Sequence, residues 1–318
     1  MTQTTHTSAL YVGIDVSQET LVVATYPTNA VWVIPNDADH CAALADELAQ
    51  QPVQLVLLEG SGGFERPIVH ALQQAGVPVV IVPPQRARYF AKSMRGNLKT
   101  DRVDAQLLAR FASCYPVPEM PETPAMQAQL KGLWARREQL VQALESEKKR
   151  LQVAMHPLIR ASLERTIAHL QAECAEIEAA IEALIASDEA LQPKAALLRT
   201  AVGVGRVVAY GLLAELPELG CVSHKTIAAL AGLAPVRRES GRWRGSARIG
   251  GGRRRVRRLL YVASVVAVTH DARWRAVYEG LLAKGKAKKV ALCAVARRLL
   301  VVLNAMVRDG RAYARVQE

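Results

Sequence analysis

Four acids occupy positions from which a carboxylate can act on a ligand. Asp15 closes the apolar run LYVGID and Glu59 closes QLVLLEG. Asp101 and Asp104 stand three residues apart in TDRVDAQLLARFAS, so a helix would put both on one face. Carboxylates gathered in one place repel one another unless cations neutralise them, and an all-oxygen donor set suits Mg2+ or Mn2+. Two such ions about 4 Å apart activate the attacking oxygen and stabilise the leaving oxygen of a phosphodiester. Each acid alone has a plainer role, as a loop cap after a strand or as a complement to a helix dipole. Their joint placement is what favours the metal.

A second constellation is basic. Arg237, Arg238, Arg242, Arg244, Arg248, Arg253, Arg254, Arg255, Arg257 and Arg258 fall within 22 residues that hold one acid, Glu239. The guanidinium fork grips phosphate bidentately, so this stretch reads as a surface for a phosphate backbone. Within it Ser240 precedes Gly241, whose missing side chain leaves room for a phosphate to approach. A hydroxyl among guanidinium groups is placed to attack phosphorus while the arginines stabilise the developing charge. Ser246 is as available as Ser240, and a turn cap is the plainer role; local chemistry alone favours the cap. Gly203 and Gly205 read as a tight turn between helices with backbone N–H groups free to hold a phosphate. Lys99 and Arg102, beside the aspartate pair, are further candidate contacts.

The elements that must position these groups follow from periodicity. Short β-rich runs at 10–15, 20–26 and 30–35 lie close enough together to form a meander. A helix over 37–50, entered through Asn36 or Asp37, leads to a run at 54–60, a helix near 64–75, the run VPVVIVP at 77–83, and a basic helix or loop through 85–98. Thr100 is placed to cap the helix that carries Asp101 and Asp104. Three adjacent strands followed by alternating helices and strands is the order of a ribonuclease-H-like α/β sheet, in which the first and fourth strands are neighbours, and it is also compatible with other mixed α/β folds. Prolines at 116, 118, 121 and 124 mark a boundary. Beyond it, leucines and isoleucines at spacings of three and four, interrupted at Pro157, predict an antiparallel helical coiled-coil hairpin over 125–190. The expected organisation is thus an α/β domain over 1–115, the hairpin over 125–190, and a mainly helical basic domain over 195–318.

Bulk composition narrows the partners. Residues 195–318 carry 24 Lys and Arg against 7 acids, a net of +17, while residues 1–194 carry a net of −5. Charge so clustered points to a polyanion, because each neutralised phosphate releases condensed counterions. Five scattered cysteines without a CxxC pair argue against a zinc ribbon or disulfide framework. The polar first ten residues lack a leader pattern, and the apolar stretch near the C-terminus is broken by Arg297 and Arg298. The expectation is a cytoplasmic protein, on the nucleoid when acting, with no membrane span.

Taken together, GIDVS, LLEGSGG, KTDRVDAQLLAR, AGLAP and SGRWRG…IGGGRRRVRRLLYVA resemble, in order and over essentially the whole chain, the DEDD transposases of the pilin-gene-invertase type. These insertion-sequence transposases are described as bridge-RNA-guided recombinases. The resemblance implies a RuvC-like fold for the N-terminal domain, with Asp15, Glu59, Asp101 and Asp104 as the metal-binding acids. It implies that Ser240, rather than Ser246, becomes covalently linked to DNA. It further implies a structured guide RNA pairing with target and donor double-stranded DNA, and a homo-oligomer, dimer or tetramer, in which different protomers complete one site. The run GGGRRRVRR after Ile249 is more arginine-rich than the resemblance leads one to expect.

Other readings predict other observables. A RuvC-like Holliday-junction or structure-specific nuclease would use a metal-activated water and leave ends with no protein attached. A non-catalytic nucleic-acid-binding protein would show no divalent-dependent activity. An actin-like ATPase would turn over ATP, but no second glycine-rich element is placed to complete its site.

Overall fold

Alternating side chains build the first layer of the molecule, since successive residues of a strand face opposite sides of a sheet. The computed structural model describes residues 9–94, 100–116, 125–236, 239–240, 243–245 and 247–314. The chain divides into two compact units, Met1–Glu122 and Thr123–Glu318.

In the first unit, β1 (Leu10–Val16), β2 (Thr20–Tyr26) and β3 (Val31–Pro35) form the meander. They are followed by α1 (Ala38–Ala49), β4 (Val53–Glu59), α2 (Arg66–Gln74), β5 (Val79–Val82), α3 (Pro84–Met94) and α4 (Asp101–Cys114). The sheet order is β3-β2-β1-β4-β5, with β2 antiparallel to both β1 and β3, and with β4 parallel to β1 and β5. That is the ribonuclease-H-like order expected from the sequence. The anticipated caps are present: Asp37 accepts from the His40 N–H at 2.9 Å, and Thr100 from the Val103 N–H at 3.3 Å. The segment left as helix or loop is helical over α3.

Each sheet face is covered. Val12, Ile14, Val56 and Leu58 pack against Leu44 and Leu48 of α1 and Ile68 and Leu72 of α2. On the other face Leu55, Leu57 and Val82 meet Ala87 of α3 and Leu108 and Ala112 of α4. Gly13 lies on that second face, and a Cβ there would stand 2.2 Å from both the Ala105 carbonyl oxygen and the Ala109 nitrogen. With Ala105 and Ala109 fully buried, β1 and α4 meet backbone to backbone.

The second unit opens with α5 (Ala125–Val153) and α6 (Pro157–Ser187), the anticipated helical hairpin turning at Pro157. The expected separate domain over 125–190 needs correction. Leu130 and Trp134 of α5 and Ile181 and Ile185 of α6 belong to the same hydrophobic core as the helices that follow, so the hairpin's base is part of the C-terminal unit. At its far end Val153, Met155, Leu158 and Ile159 are exposed, Met155 by 92%.

Next come α7 (Leu191–Leu198), α8 (Arg206–Glu215) and α9 (His224–Leu230). After them β6 (Pro235–Val236), β7 (Glu239–Ser240), β8 (Trp243–Arg244) and β9 (Arg248–Ile249) form two-residue strands that pair antiparallel in nested fashion, β6 with β9 and β7 with β8. The chain ends with α10 (Arg254–His270), α11 (Ala272–Ala283) and α12 (Lys288–Asp309). The arginine-rich stretch 237–258 is helical from Arg254 onward, because Val256, Leu259, Leu260 and Ala263 repeat at helical spacing and bury one face of α10. By length and composition α12 would be apolar enough to cross a membrane. Its Leu299, Leu300 and Leu303 lie instead in the core of the second unit, as anticipated. Asn304 on the same helix accepts from the Gly220 N–H and donates to the Val222 carbonyl.

Candidate active site

Register brings the first two acids together. Tyr11, Gly13 and Asp15 alternate onto the α4 face of β1, as do Leu55, Leu57 and Glu59 of β4. The last parallel pair is Ile14 with Leu58, and Asp15 and Glu59 lie one step beyond it, at neighbouring strand ends. Asp101 and Asp104 sit in the first turn of α4, which the Gly13 seam seats directly on β1. All four line one cleft of about 610 Å3, together with Gly60, Ser61, Arg88, Phe90, Lys92 and Phe111.

The electrostatics agree with this convergence. Burial, then the negative charges of Asp101, Asp104 and Glu59, push the Asp15 carboxyl up to about 6. Among the described residues no three acid, histidine or cysteine groups yet stand close enough to grip one ion. The two facts are compatible, because charge repulsion reaches well beyond a coordination bond of roughly 2.0–2.6 Å. Four carboxylates converging on one cleft are a donor set that a hard divalent cation fits.

Two polar residues hold the strand ends: Asn36, which the sequence offered only as a helix cap, and Glu65, which it did not single out. The Asn36 amide donates to the Ser17 carbonyl at 2.8 Å and to the Phe64 carbonyl at 3.1 Å, tying the turn after Asp15 to the loop after Glu59. Within that loop the Glu65 carboxylate accepts from the Ser61 N–H, the Ser61 hydroxyl and the Gly63 N–H. Burial alone would raise the Glu65 carboxyl, but these donors hold it below the usual range. An Asn just before a helix cap and a Glu just before a helix are weak sequence signals, because both types cap turns anywhere. The close-packing role of Gly13 was also missed, its only trace being the buried pair Ala105 and Ala109 four residues apart.

The basic constellation is placed less simply. Arg102 is exposed on α4 and is not among the cleft-lining residues. Lys99, Arg237, Arg238 and Arg242 lie outside the described residues, as do Gly241 and Ser246. Ser240 is described by its backbone, which pairs with Trp243 at the tip of the nested hairpin, and Arg244 pairs with Glu239. Arg248 is exposed and pairs with Val236 nearer the base. Several arginines already have partners inside the second unit. Arg253 grips Glu218 through both nitrogens at 2.5 and 2.6 Å, Arg255 pairs with Glu215, and Arg258 with the buried Glu138. Arg257 donates to the Gly232 and Gly251 carbonyls, which pins the chain entering α10 against the end of α9. Arg254 is exposed.

The glycine pair also divides. Gly203 has a φ of +86°, and a Cβ on it would lie 2.3 Å from the Ala263 carbonyl oxygen, so close packing on α10 explains that glycine. Gly205 stands at the N-cap of α8 with nothing near its Cα hydrogens.

Comparison with known proteins supplies context. Residues 12–158 match the DEDD family of IS110 type described as "Transposase", and residues 195–279 match the "Transposase IS116/IS110/IS902 family". The "Pilin gene-inverting protein" of Moraxella bovis is 25% identical over 96% of this chain and 98% of its own length. The "Insertion element IS900 uncharacterized 42 kDa protein" of Mycobacterium paratuberculosis is 42% identical over 29% of this chain and 23% of its own. Among solved structures, the "Thermus thermophilus RuvC structure" is 15% identical with a TM-score of 0.23, covering 31% of this chain and 90% of that one. The fold assignment above stands on strand order and register.

Proposed function

This chain belongs to the IS110 family of transposases and is a DNA transposase or recombinase, and from that premise we propose that it cuts and rejoins DNA through a covalent bond between Ser240 and a DNA phosphate. The observation that carries the reading is the convergence of Asp15, Glu59, Asp101 and Asp104, from three separate parts of the chain, on one cleft. Mg2+ or Mn2+, when bound, would neutralise these carboxylates and the charge that develops on the phosphodiester.

The chain's own residues do the rest. The Ser240 hydroxyl gives up its proton and forms a bond to phosphorus. The bond from phosphorus to the sugar oxygen breaks, and that oxygen takes up a proton. Attack by the sugar hydroxyl of a second strand reverses these events and frees the serine. Arg237, Arg238, Arg242, Arg244, Arg248 and Arg254, with Lys99, Arg102 and the N-terminus of α8 at Gly205, are proposed to hold backbone phosphates. Arg253, Arg255, Arg257 and Arg258 are proposed to hold the hairpin and α10 in place, since each already has an internal partner.

The wider assembly is part of the same reading. Target and donor duplexes are selected by a structured guide RNA, which the +17 net charge of residues 195–318 is suited to bind. The protein acts as a dimer or tetramer joined through its helical hairpin, with acids and serine supplied by different protomers. Inversion of a DNA segment, the activity that the name of the Moraxella relative states, is one outcome of such exchange.

The test is Ser240→Ala in the complete protein with its RNA. A covalent protein–DNA adduct should vanish while DNA affinity stays within about twofold of the parent, since a hydroxyl adds no charge–phosphate contact. An adduct that persists removes Ser240 as nucleophile. A second reading has one observation behind it: all four acids lie within the first unit, so a water-using nuclease needs nothing from the second. It would give cut ends carrying no protein.

A further inference from the structure

Charge in the first unit is distributed against its own average. Residues 1–122 hold 12 acids and 8 Lys or Arg, yet five of those eight lie within 86–99, and no acid occurs between Glu65 and Asp101. Two of the five, Arg88 and Lys92, are four residues apart on α3 and therefore share a face. Both line the cleft that holds the four carboxylates.

Their setting is fixed and their charges are uncommitted. Phe90 of α3 stacks on Phe111 of α4 with ring centroids 4.5 Å apart, and Phe111 meets Tyr115 edge-on at 5.3 Å. Arg86 donates to the Tyr115 hydroxyl at 3.0 Å. These contacts lock α3 onto the helix that carries Asp101 and Asp104. Arg88 and Lys92 are exposed, and among the described residues neither forms an ion pair, although four carboxylates line the same cleft. Tyr89 beside them is 73% exposed. Both charges stand at the cleft and are open to solvent, where a phosphate can reach them.

A polyanion explains that arrangement. A carboxylate cleft repels DNA on its own, and cations held at its rim offset the repulsion where the backbone enters. We propose that Arg88 and Lys92 form a phosphate clamp on the rim of the acidic cleft, gripping the DNA backbone beside the phosphodiester that enters between the carboxylates. This rests on the reading of the cleft as the cutting site. Arg88 takes a phosphate through its fork and Lys92 as a point charge, so the pair selects position along the strand and not base sequence.

The experiment uses the full chain carrying Ser240→Ala, in EDTA, so that no cleavage occurs. Affinity for a short random-sequence duplex is measured across a range of salt. Each phosphate contact contributes about 0.9 to the slope of log affinity against log salt. Arg88→Gln and Lys92→Gln should each flatten the slope by about 0.9, and the double variant by about 1.8. Arg88→Lys, which keeps the charge, should restore it. Unchanged slopes overturn the clamp, as does a change seen with an RNA duplex of equal length but not with DNA. Asp15→Asn, assayed separately for divalent-dependent cleavage in the otherwise unaltered chain, separates the two ideas. Flat slopes with cleavage surviving in Asp15→Asn overturn the cutting-site reading and the clamp's position beside it. Unchanged slopes with cleavage lost overturn the clamp alone.

Discussion

Asp15 is where folding and chemistry oppose each other most directly. Its carboxyl is raised to about 6 by burial and by three neighbouring acids, so the folded chain favours the protonated form that the unfolded chain loses near 3.8. The resulting stability is fully present below the unfolded value and is lost as pH rises through about 6. In metal-free protein, stability should therefore fall between pH 4 and pH 6, by well under the roughly 3 kcal/mol that a fully buried group would give, because solvent screens this partly exposed carboxyl. Asp15→Asn should remove that fall and leave the metal-free protein more stable at neutral pH while abolishing divalent-dependent DNA cleavage. Urea midpoints of both proteins at the two pH values measure it, and identical pH profiles would refute it. The acids themselves were legible in the sequence because each follows an apolar run or opens a capped helix. Asn36 and Glu65 were not, since their partners at Ser17, Phe64, Ser61 and Gly63 are fixed by how loops meet and not by any local pattern.

At the scale of elements, the seam between β1 and α4 decides whether the acids meet at all. A methyl group at Gly13 would collide with backbone atoms, which cannot swing aside as a side chain can. Gly13→Ala should push α4 off the sheet, at a cost of about 3 kcal/mol or more, and carry Asp101 and Asp104 away from Asp15. A lowered denaturant midpoint with loss of divalent-dependent cleavage is the expected pair of results; a variant with both unaltered would show that the seam positions nothing. Strand order, the caps at Asp37 and Thr100 and the turn at Pro157 could be read from periodicity and turn chemistry because they are local. The start of α10 is hard to read from sequence because four of its first five residues are arginines, which hide an apolar face at Val256, Leu259 and Leu260. The internal pairing of Arg253, Arg255 and Arg258 was equally hidden, as their carboxylate partners lie 35, 40 and 120 positions away.

For the whole molecule, the charge asymmetry and the boundary near residues 116–124 were legible, whereas the allocation of the hairpin, expected as a separate domain, was not: its apolar spacing looks the same whether it packs on itself or on the helices that follow. Only Leu130, Trp134, Ile181 and Ile185, meeting the C-terminal core, decide it. Val153, Met155, Leu158 and Ile159 are exposed at the hairpin's tip, which is where the proposed self-association can be tested. Replacing Met155 and Leu158 together by Ser should weaken self-association about 100-fold, if each side chain contributes roughly 1.5 kcal/mol of burial, and light scattering at matched concentrations would read the drop in mass. An unchanged mass would move the oligomer contact elsewhere. The nested hairpin adds a mechanical property. Both of its strands return to one anchor, where the Arg253 N–H donates to the Leu230 carbonyl at 2.7 Å and Gly252 lies against Gly232. Under the proposed link, a DNA strand joined at Ser240 would load the paired strands lengthwise, so that their covalent backbones carry the pull and the ladder hydrogen bonds across them are not peeled apart.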